Sequence, residues 1–266
     1  MEIHPTAIVS PKAELGENVK VLPYSIIGSQ VTIGSGSVIG PHAIVDGRTT
    51  LGRNNQVFPF ATVGYPPQDI SYKGEDTECV IGDGNIIRES VTIHRGTAKG
   101  GGITRIGNGC CVMAYVHVAH DCNIGNHVIL SSGIGMAGHV EIHDHAIVGG
   151  MVAIHQFVRI GSFAFVGGMS GLRMDIPPYM LAHGAPAKLY GPNLVGLRRH
   201  KFPMQTVQAL KRAYKILFRS TLTVKDAVDK IREEIEPLPE IEKLLQFMQE
   251  DSRRGVTRWG SDEAVE

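Results

Sequence analysis

The sequence has no excess of charge of either sign, because 26 Lys and Arg residues balance 26 Asp and Glu residues. A nucleic-acid-binding domain usually presents a strongly basic surface, so a nucleic-acid partner is not expected. The 266 residues contain no apolar run of about 18 residues, and we therefore expect no membrane-spanning helix. Residues 1–5 lack the basic and apolar segments of a secretory signal, which favours a cytoplasmic protein.

Cysteines and aromatic residues are also scarce. The four cysteines (Cys79, Cys110, Cys111 and Cys122) form no Cys-x-x-Cys pair, and in a cytoplasmic protein they are expected to stay reduced. Aromatic residues make up 6% of the chain, so the core has to be built from aliphatic side chains. Glycine is abundant instead, with 32 residues.

A six-residue repeat runs through the first two thirds of the chain. An aliphatic or Met residue stands at every sixth position from Ile3 to Val63, from Ile81 to Ile93 and, after a shift of one residue, from Ile106 to Leu172. Many of these residues are followed directly by glycine, as in Ile33-Gly34. Neither an α-helix nor a plain alternating strand produces this period. A coil of three short strands joined by three tight turns does, so three hexads form one coil of 18 residues.

The repeat predicts a mainly β architecture, a parallel β-helix shaped as a triangular prism of eight or nine coils. The aliphatic residue is predicted to point inward, and the glycine is expected to supply a turn conformation that other residues avoid. Stacked coils lie about 4.8 Å apart, so residues 18 positions apart in an uninterrupted segment become neighbours. Two interruptions, at residues 65–80 and 98–105, are predicted to be loops that protrude from the prism.

Beyond the last repeat, the pattern changes to a helical one. Pro177-Pro178 and Gly184-Ala185-Pro186 are interpreted as a linker, helical periodicity begins at Val207, and Pro239 is expected to open a last helix. The helices are predicted to cover the open end of the β-helix. The chain is therefore divided into a β-helix domain, a small α-helical domain and a flexible tail, at residues 1–190, 191–254 and 255–266.

Histidines concentrate where the stacking of coils would bring separate segments together. Gly138 and Gln156 lie 18 and 36 positions after His120, so they are predicted directly above it on the next two coils. The same strip is predicted to hold four more polar side chains: His117, Asp121, His139 and His155. A His–Asp pair suits general-base activation of a hydroxyl group, and a glycine N–H suits stabilisation of an oxyanion. Cys122 is predicted to point inward, so direct acyl transfer is favoured over a covalent cysteine intermediate.

Five motifs resemble those of the hexapeptide-repeat acyltransferases, a family with a left-handed parallel β-helix. They are Ile87–Thr97, His117–Cys122, Ala137–Val140, Ile154–Phe157 and Asp175–Tyr179. More narrowly, the chain resembles the acyl-carrier-protein:UDP-N-acetylglucosamine O-acyltransferase family of the first step of lipid A biosynthesis. The resemblance implies transfer of a 3-hydroxyacyl chain from acyl carrier protein to the 3-hydroxyl of UDP-N-acetylglucosamine, with no cofactor and no catalytic metal.

The resemblance also implies the roles of individual residues. His120 would be the general base, oriented by Asp121, and the Gly138 N–H would stabilise the oxyanion. The implied substrate-binding residues are Gln68, Asp69, His94, His117, His139, His155, Gln156, Asn193 and Arg199. Gly168 matches a position where a larger side chain would shorten the acyl groove, so a long chain is expected. Family members are homotrimers with active sites between subunits, and the same assembly is expected here.

Departures from the family pattern keep other functions open. The family's Gln-Asp-x-Lys-Tyr loop reads Gln-Asp-Ile-Ser-Tyr at residues 68–72, with the lysine displaced to Lys73, and His200 stands where a second arginine is common. An acceptor with a 3-amino group therefore remains an alternative, as do a coenzyme A-dependent hexapeptide acetyltransferase and the later N-acyltransferase of the same pathway. The histidine strip is also compatible with a zinc enzyme of the γ-carbonic anhydrase type or with an inactive scaffold.

Basic side chains cluster in the predicted helical domain, although the whole chain is neutral. They are Arg198, Arg199, His200, Lys201, Lys211, Arg212, Lys215 and Arg219. We interpret them either as a solvated helix face or as a docking surface for an acidic carrier protein or a diphosphate.

Overall fold

A computed structural model describes residues 1–259, and a left-handed parallel β-helix forms most of them, as the repeat and the resemblance predicted. Each coil contributes one short strand to each of three sheets, which we call faces A, B and C in the order in which the chain visits them. The three corners of the prism are named after the faces they join. None of the helices in residues 1–259 is both long enough and apolar enough to cross a bilayer.

The strands are two to five residues long. Face A contains Glu2–Ile3, Lys20–Val21, Val38–Ile39, Gln56–Val57, Ile86–Ile87, Cys111–Val112, Ile129–Leu130, Ile147–Val148, Phe165–Val166, Met180–His183 and Lys188–Pro192. Face B contains Ile8–Val9, Ile26–Ile27, Ile44–Val45, Thr62–Tyr65, Thr92–His94, His117–Val118, Gly135–Met136, Ala153–Ile154 and Gly171–Leu172. Face C contains Glu14–Leu15, Val31–Ile33, Arg48–Leu51, Glu78–Ile81, Ile103–Ile106, Asn123–Ile124, Glu141–Ile142 and Arg159–Ile160.

The core is a column of stacked aliphatic side chains, because the second residue of each two-residue strand points inward. Val118 pairs with Met136 on the next coil, 18 positions later, and both side chains are buried. Burying one such side chain stabilises a fold by about 1.5–3 kcal/mol, and the repeat supplies one on every face of every coil. The register of 18 predicted from the hexads is therefore present in the stack of coils.

The glycine that follows many core residues has a different function from the one expected. A Cβ at Gly34 would lie 2.6 Å from the carbonyl carbon of Gly52 on the next coil, and one at Gly40 would lie 2.6 Å from the Val57 oxygen. Glycine therefore permits close approach of the coils. The left-handed turn conformation falls two residues later, on residues such as His42, with φ of 58°. The predicted turn role of this glycine was wrong.

Both interruptions of the repeat protrude from the same corner, the one between faces B and C. Val57 pairs with Ile87 across the first interruption, and Ile87 pairs with Val112 across the second. These partners are 30 and 25 positions apart instead of 18, so the insertions contain twelve and seven extra residues. Seven is one more than a hexad, which explains the one-residue shift in the pattern. The two loops thus lie next to each other, immediately before the coil that carries His120.

The segment that was interpreted as a linker is part of the β structure. Met180–His183 pairs in parallel with Phe165–Val166 and antiparallel with Lys188–Pro192, so both strands extend face A. Proline is tolerated there because these strands close the end of the sheet. Pro177-Pro178 and Gly184-Ala185-Pro186 lie in the turns on either side of the strand Met180–His183, so their interpretation as a linker was wrong.

Up to residue 259, four helices follow: α1 (Leu194–Arg199), α2 (Met204–Phe218), α3 (Val224–Glu234) and α4 (Pro239–Gln249). Pro239 is the first residue of α4, as predicted. Thr223 caps α3 by accepting a hydrogen bond from the Asp226 N–H. After α4, the chain returns to the end of the β-helix, where Val256 forms a bridge to Asp175 and Trp259 to Leu189. The rest of the predicted tail lies outside the described residues.

Candidate active site

His120 lies on the corner between faces B and C, on the coil that follows the two protruding loops. It directly follows Val118-Ala119, where the chain leaves face B, and its side chain is mostly buried. Asp121 occupies the left-handed position of this turn, with φ of 59°. The tight turn therefore directs two adjacent polar side chains towards the same corner.

Asp121 holds one nitrogen of the His120 ring. The distance between His120 Nδ1 and Asp121 Oδ2 is 2.8 Å, and the Asp121 side chain is only 1% exposed. Because a carboxylate accepts hydrogen bonds, this contact favours the tautomer with hydrogen on Nδ1 and leaves the Nε2 lone pair free. The pair therefore has the geometry of an oriented general base.

Gly138 lies directly above the His120 ring on the next coil. A Cβ at residue 138 would lie 2.4 Å from Cε1 and 2.7 Å from Nε2 of His120, so no side chain fits there. Within residues 1–259, the Gly138 N–H has no hydrogen-bond acceptor, while its neighbour His139 donates its N–H to the His120 carbonyl. An N–H without an acceptor, on the residue that packs against the imidazole, is what an oxyanion site requires.

His139 belongs to a column of side chains that continues from Asp121 along this corner. His139 Nε2 lies 3.8 Å from Asp121 Oδ2, and the His139 ring stacks on Phe157 with a centroid distance of 4.5 Å. Arg253, from the segment after α4, covers the Phe157 ring at 4.6 Å. Burial lowers the pKa of His139 against the opposing effect of the Asp121 carboxylate. The returning C-terminal segment therefore supports the column.

His117 and His94 form a histidine pair on face B. Their rings meet edge to face at 5.1 Å, and His117 Nδ1 lies 2.7 Å from the Thr92 hydroxyl. Burial, followed by the nearby His117 and His120, lowers the pKa of His94 to about 4. Burial also lowers the pKa of His117. Both imidazoles are therefore predominantly neutral near pH 7 and can donate or accept hydrogen bonds.

The first protruding loop carries Gln68 and Asp69. The Asp69 carboxylate accepts a hydrogen bond from the Ser71 N–H at 2.7 Å, and this bond is the main reason why the pKa of Asp69 is lowered. Arg95 fixes the base of the loop by donating to the Tyr72 hydroxyl at 2.8 and 3.1 Å. The loop is thus attached to the coil that precedes His120.

A cleft of about 610 Å³ on face B brings six of the predicted residues together. They are Gln68, His117, His120, Gly138, His155 and Gln156. His155 and Gln156 are exposed at the cleft surface. Asp121 and His139 line a second cavity, of about 520 Å³, on the other side of the same corner.

Asn193, Arg199 and Gly168 do not lie in this cleft. Asn193 caps α1 and donates to the carbonyl of Phe163, which lies on the corner between faces C and A. Arg199 is exposed in the last turn of α1, and Gly168 lies on the corner between faces A and B. Within one chain, these three predicted residues are therefore separated from His120.

One group of side chains in the described part of the chain has donors close enough for a metal ion. His120, Asp121 and His139 offer ligand atoms that all lie within 4.8 Å of one another. In the arrangement observed, His120 and Asp121 are hydrogen-bonded to each other, and both Asp121 oxygens also accept bonds from Thr97. These ligand atoms are therefore arranged to share a hydrogen bond between the His120 imidazole and the Asp121 carboxylate.

Sequence reasoning missed the side chains that support this site. Thr92, Thr97 and Phe157 lie inside the motifs that carried the resemblance, but no role was assigned to them. Counting 25 positions across the second insertion leads from Thr92 to His117, so the register could have found this pair. No comparable signal exists for Arg253, which reaches Phe157 only because the C-terminal segment folds back.

Two family models match the chain. "UDP N-acetylglucosamine O-acyltransferase; domain 2" matches residues 175–257, and "bacterial transferase hexapeptide (six repeats)" matches residues 12–47 and 103–133. Among curated proteins, an acyl-[acyl-carrier-protein]–UDP-N-acetylglucosamine O-acyltransferase of Syntrophobacter fumaroxidans is 55% identical over 97% of this chain and 100% of its own length. The protein with the same description in Trichlorobacter lovleyi is 58% identical with the same coverage of both chains.

A solved structure is similar over nearly the whole chain. The crystal structure of UDP-N-acetylglucosamine O-acyltransferase from Moraxella catarrhalis has a TM-score of 0.94 and 41% identity. The match covers 97% of this chain and 100% of that chain. The similarity therefore extends through both the β-helix and the helices that follow it.

Proposed function

Since the chain belongs to the acyl-[acyl-carrier-protein]–UDP-N-acetylglucosamine O-acyltransferase family, we propose that His120 is the base of an acyl transfer from acyl carrier protein to UDP-N-acetylglucosamine. The observation that carries this proposal is the contact between the His120 ring and the Gly138 backbone. In the proposed reaction, the acceptor is the 3-hydroxyl of the sugar and the donor is a 3-hydroxyacyl thioester. The reaction is the first step of lipid A biosynthesis.

The first chemical step uses the free nitrogen of His120. Nε2 removes the proton from the sugar 3-hydroxyl while that oxygen attacks the thioester carbonyl. Asp121 holds the opposite ring nitrogen at 2.8 Å and stabilises the imidazolium that forms. The Gly138 N–H donates to the carbonyl oxygen as it becomes an oxyanion.

The second step releases the carrier. The tetrahedral intermediate collapses, its carbon–sulfur bond breaks, and the imidazolium returns its proton to the thiolate of the carrier. An acyl-cysteine intermediate is disfavoured, because burial raises the pKa of Cys122 to about 12 and so keeps the thiol protonated. The same cause raises the pKa of Cys79 to about 12 and that of Cys110 to about 11.

The neutral histidines and the loop side chains are proposed to bind the substrates. His117 and His94 would contact the acyl or sugar groups as uncharged hydrogen-bonding partners, since their pKa values are lowered. Gln68 and Asp69 would contact the sugar from the first loop, His155 and Gln156 from the wall of the cleft, and His139 from the other side of the corner. Gly168 would leave the acyl groove open for a longer chain.

A homotrimer would complete the site with residues that one chain keeps apart. The side chains that point outward on face C are mostly polar, with Val80 and Ile103 as exceptions, but on face A they include Val38, Ile86, Ile129, Ile147 and Phe165. The corner between faces A and B carries exposed Tyr115, Met151 and Met169, at 71%, 68% and 78%. Covering such apolar surface favours association. Asn193 and Arg199 would then bind the diphosphate of an acceptor held on a neighbouring subunit.

The basic groove beside α2 is proposed as the docking surface for the acidic carrier protein. It has a volume of about 850 Å³ and is lined by Tyr190, Lys211, Arg212, Lys215 and Trp259, among others. Complementary charge accelerates encounter and orients the partner more than it adds affinity. Because this groove lies on the helical region, a carrier protein bound there would leave face B free for the acyl chain that it carries as a thioester.

The donor distinguishes this function from the coenzyme A-dependent alternative. Purified protein is mixed with UDP-N-acetylglucosamine and with 3-hydroxyacyl chains of several lengths, attached either to acyl carrier protein or to coenzyme A. The proposal predicts product from the carrier-bound donor and little from the coenzyme A thioester, with mass spectrometry identifying the preferred chain. Comparable rates from coenzyme A thioesters would contradict it.

A 3-amino sugar is the second candidate acceptor, favoured by the unusual loop. Ser71 occupies the position of the usual lysine, so the loop lacks the cationic side chain there, while the backbone N–H of residue 71 still donates to Asp69. The two acceptors are distinguished by offering UDP-N-acetylglucosamine and its 3-amino analogue together. An ester product is cleaved by mild alkali whereas an amide is not, so alkali-stable product as the main species would favour the amine.

A further inference from the structure

The second protruding loop is folded tightly against the catalytic corner. Thr97, only 4% exposed, starts a short 3₁₀ turn, Ala98–Gly100, and accepts a hydrogen bond from the Gly100 N–H through its hydroxyl at 3.1 Å. Its carbonyl accepts from the N–H groups of Gly100 and Gly102 at 3.0 and 2.8 Å. The backbone N–H groups of the loop therefore converge on Thr97, which fixes the conformation of the turn.

Thr97 makes two hydrogen bonds to the carboxylate of Asp121. Its N–H donates to Oδ1 at 2.9 Å, and its hydroxyl donates to Oδ2 at 2.7 Å. Oδ2 is also the oxygen that lies 2.8 Å from Nδ1 of His120. One threonine thus satisfies both oxygens of the carboxylate that orients the proposed base.

The hydrogen atoms in this network can be assigned from the donors and acceptors. Because the Thr97 hydroxyl accepts from the Gly100 N–H, its own hydrogen is available for Asp121. Asp121 then receives a hydrogen on each oxygen from Thr97 alone. The contact with His120 therefore requires a hydrogen on Nδ1, so in the neutral imidazole the lone pair lies on Nε2, beside Gly138.

We infer that Thr97 is a positioning residue of the acyl transfer, acting on His120 through the Asp121 carboxylate. This inference rests on the proposed function and deepens it. The hydroxyl of Thr97 fixes the rotation of the carboxylate, and the carboxylate fixes the tautomer and the plane of the imidazole. The repeat alone cannot supply this constraint, because Thr97 lies in the loop between the strands Thr92–His94 and Ile103–Ile106, where the hexad pattern is interrupted.

The surrounding backbone leaves the loop little freedom to move. A Cβ at Gly100 would lie 2.1 Å from Cγ of Asp121, so the turn rests directly on the carboxyl group. On the other side, the Asp121 N–H donates to the Thr104 hydroxyl at 2.8 Å. The carboxylate is therefore enclosed between the loop and the corner, with its orientation decided by Thr97.

Substitutions at Thr97 test the inference with the complete protein. Thr97→Val keeps the shape and the backbone N–H but removes the hydroxyl, and Thr97→Ser restores it. We expect Thr97→Val to lower kcat by about 10- to 100-fold with little change in KM for either substrate, since only orientation in the transition state is lost. Thr97→Ser should recover most of kcat. Thr77→Val is the matched control, because the Thr77 hydroxyl is buried without a hydrogen-bond partner in the described structure.

A double-mutant cycle separates positioning from general loss of structure. In an Asp121→Ala background, Thr97→Val should cause little further loss, because the carboxylate on which it acts is absent. Equal fold losses in both backgrounds, or unchanged kcat in Thr97→Val, would overturn the inference while leaving the proposed function intact. Failure of the wild-type protein to use the carrier-bound donor would instead contradict the proposed function.

Discussion

The ring of His120 occupies the space that a side chain at Gly138 would need, with an ideal Cβ only 2.4 Å from Cε1 of the ring. The two residues are 18 positions apart and belong to adjacent coils, so the coil spacing alone brings them together. A basic nitrogen and a backbone N–H thereby share one edge of the cleft. This relationship connects the repeat in the sequence to the chemistry proposed for the site.

A methyl group at residue 138 should therefore damage catalysis more than folding. Gly138→Ala would push the His120 ring away from its position over the backbone, and a displacement of about 1 Å can cost about 100-fold in rate. We expect a fall in kcat of about that size, with the β-helix circular dichroism spectrum retained. Steady-state kinetics together with a thermal melt tests this, and a variant with wild-type kcat would show that the contact is not used.

How much of this could be predicted depends on where the insertions lie. No insertion separates His120 from Gly138 or Gln156, so counting in steps of 18 placed them on one strip. The first two thirds of the fold followed from the same count, since the aliphatic positions continue through three blocks of hexads. The strands at Met180–His183 and Lys188–Pro192 were missed, because they pair without following the hexad pattern.

Contacts that depend on loop conformation or on distant segments could not be counted. Thr97 reaches Asp121 because a turn inside the insertion folds back, and the length of the insertion does not specify that turn. Arg253 reaches Phe157 because the segment after α4 returns to the β-helix. Such placements are decided by tertiary packing, which a periodic pattern does not encode.

Acid should destabilise the protein through its buried histidines. The pKa of His94 is about 4 in the folded protein, while an unfolded histidine titrates near 6.5. As the pH falls from about 6.5 towards 4, the unfolded chain takes up a proton that the folded chain does not, so folded-state stability is lost. At pH 5, His94 alone should cost on the order of 2 kcal/mol relative to pH 7.

The variant His94→Leu isolates this effect. Its loss of stability between pH 7 and pH 5 should be smaller than that of the wild type, because one of the depressed histidines is gone. Urea unfolding at both pH values measures the two differences. Equal losses in the two proteins would contradict the assignment of acid sensitivity to His94.

The last coil should depend on a buried ion pair for its attachment to the C-terminal segment. Asp175 is fully buried and accepts from Arg159 Nε at 2.8 Å and from the Ser252 hydroxyl at 2.7 Å. Asp175→Ala would leave the buried guanidinium without this partner, at a cost of about 3 kcal/mol. The control is Glu2→Ala, which breaks an exposed ion pair whose Lys20 Nζ and Glu2 Oε2 atoms lie 3.2 Å apart. It should leave the unfolding midpoint nearly unchanged. Similar midpoints for both variants would be inconsistent with this account.

A charge on the apolar corner between faces A and B should prevent assembly. Met151→Glu introduces a carboxylate where the proposed trimer would bury a 68% exposed methionine. We expect light scattering to report a trimer for the wild type and smaller species for the variant, with lower activity. Thr50→Glu, on polar face C, is the control and should remain trimeric. A trimeric Met151→Glu protein would exclude this corner from the interface.

The rate of His120→Ala is the most direct test of the central claim. The measurement is the initial rate of transfer from 3-hydroxyacyl carrier protein to UDP-N-acetylglucosamine, with mass and melting temperature recorded for the same preparation. Because removal of a general base typically costs about 100- to 10,000-fold, we predict a loss of about 1,000-fold in a folded protein of unchanged mass. A folded His120→Ala protein that works within tenfold of the wild-type rate would contradict the account.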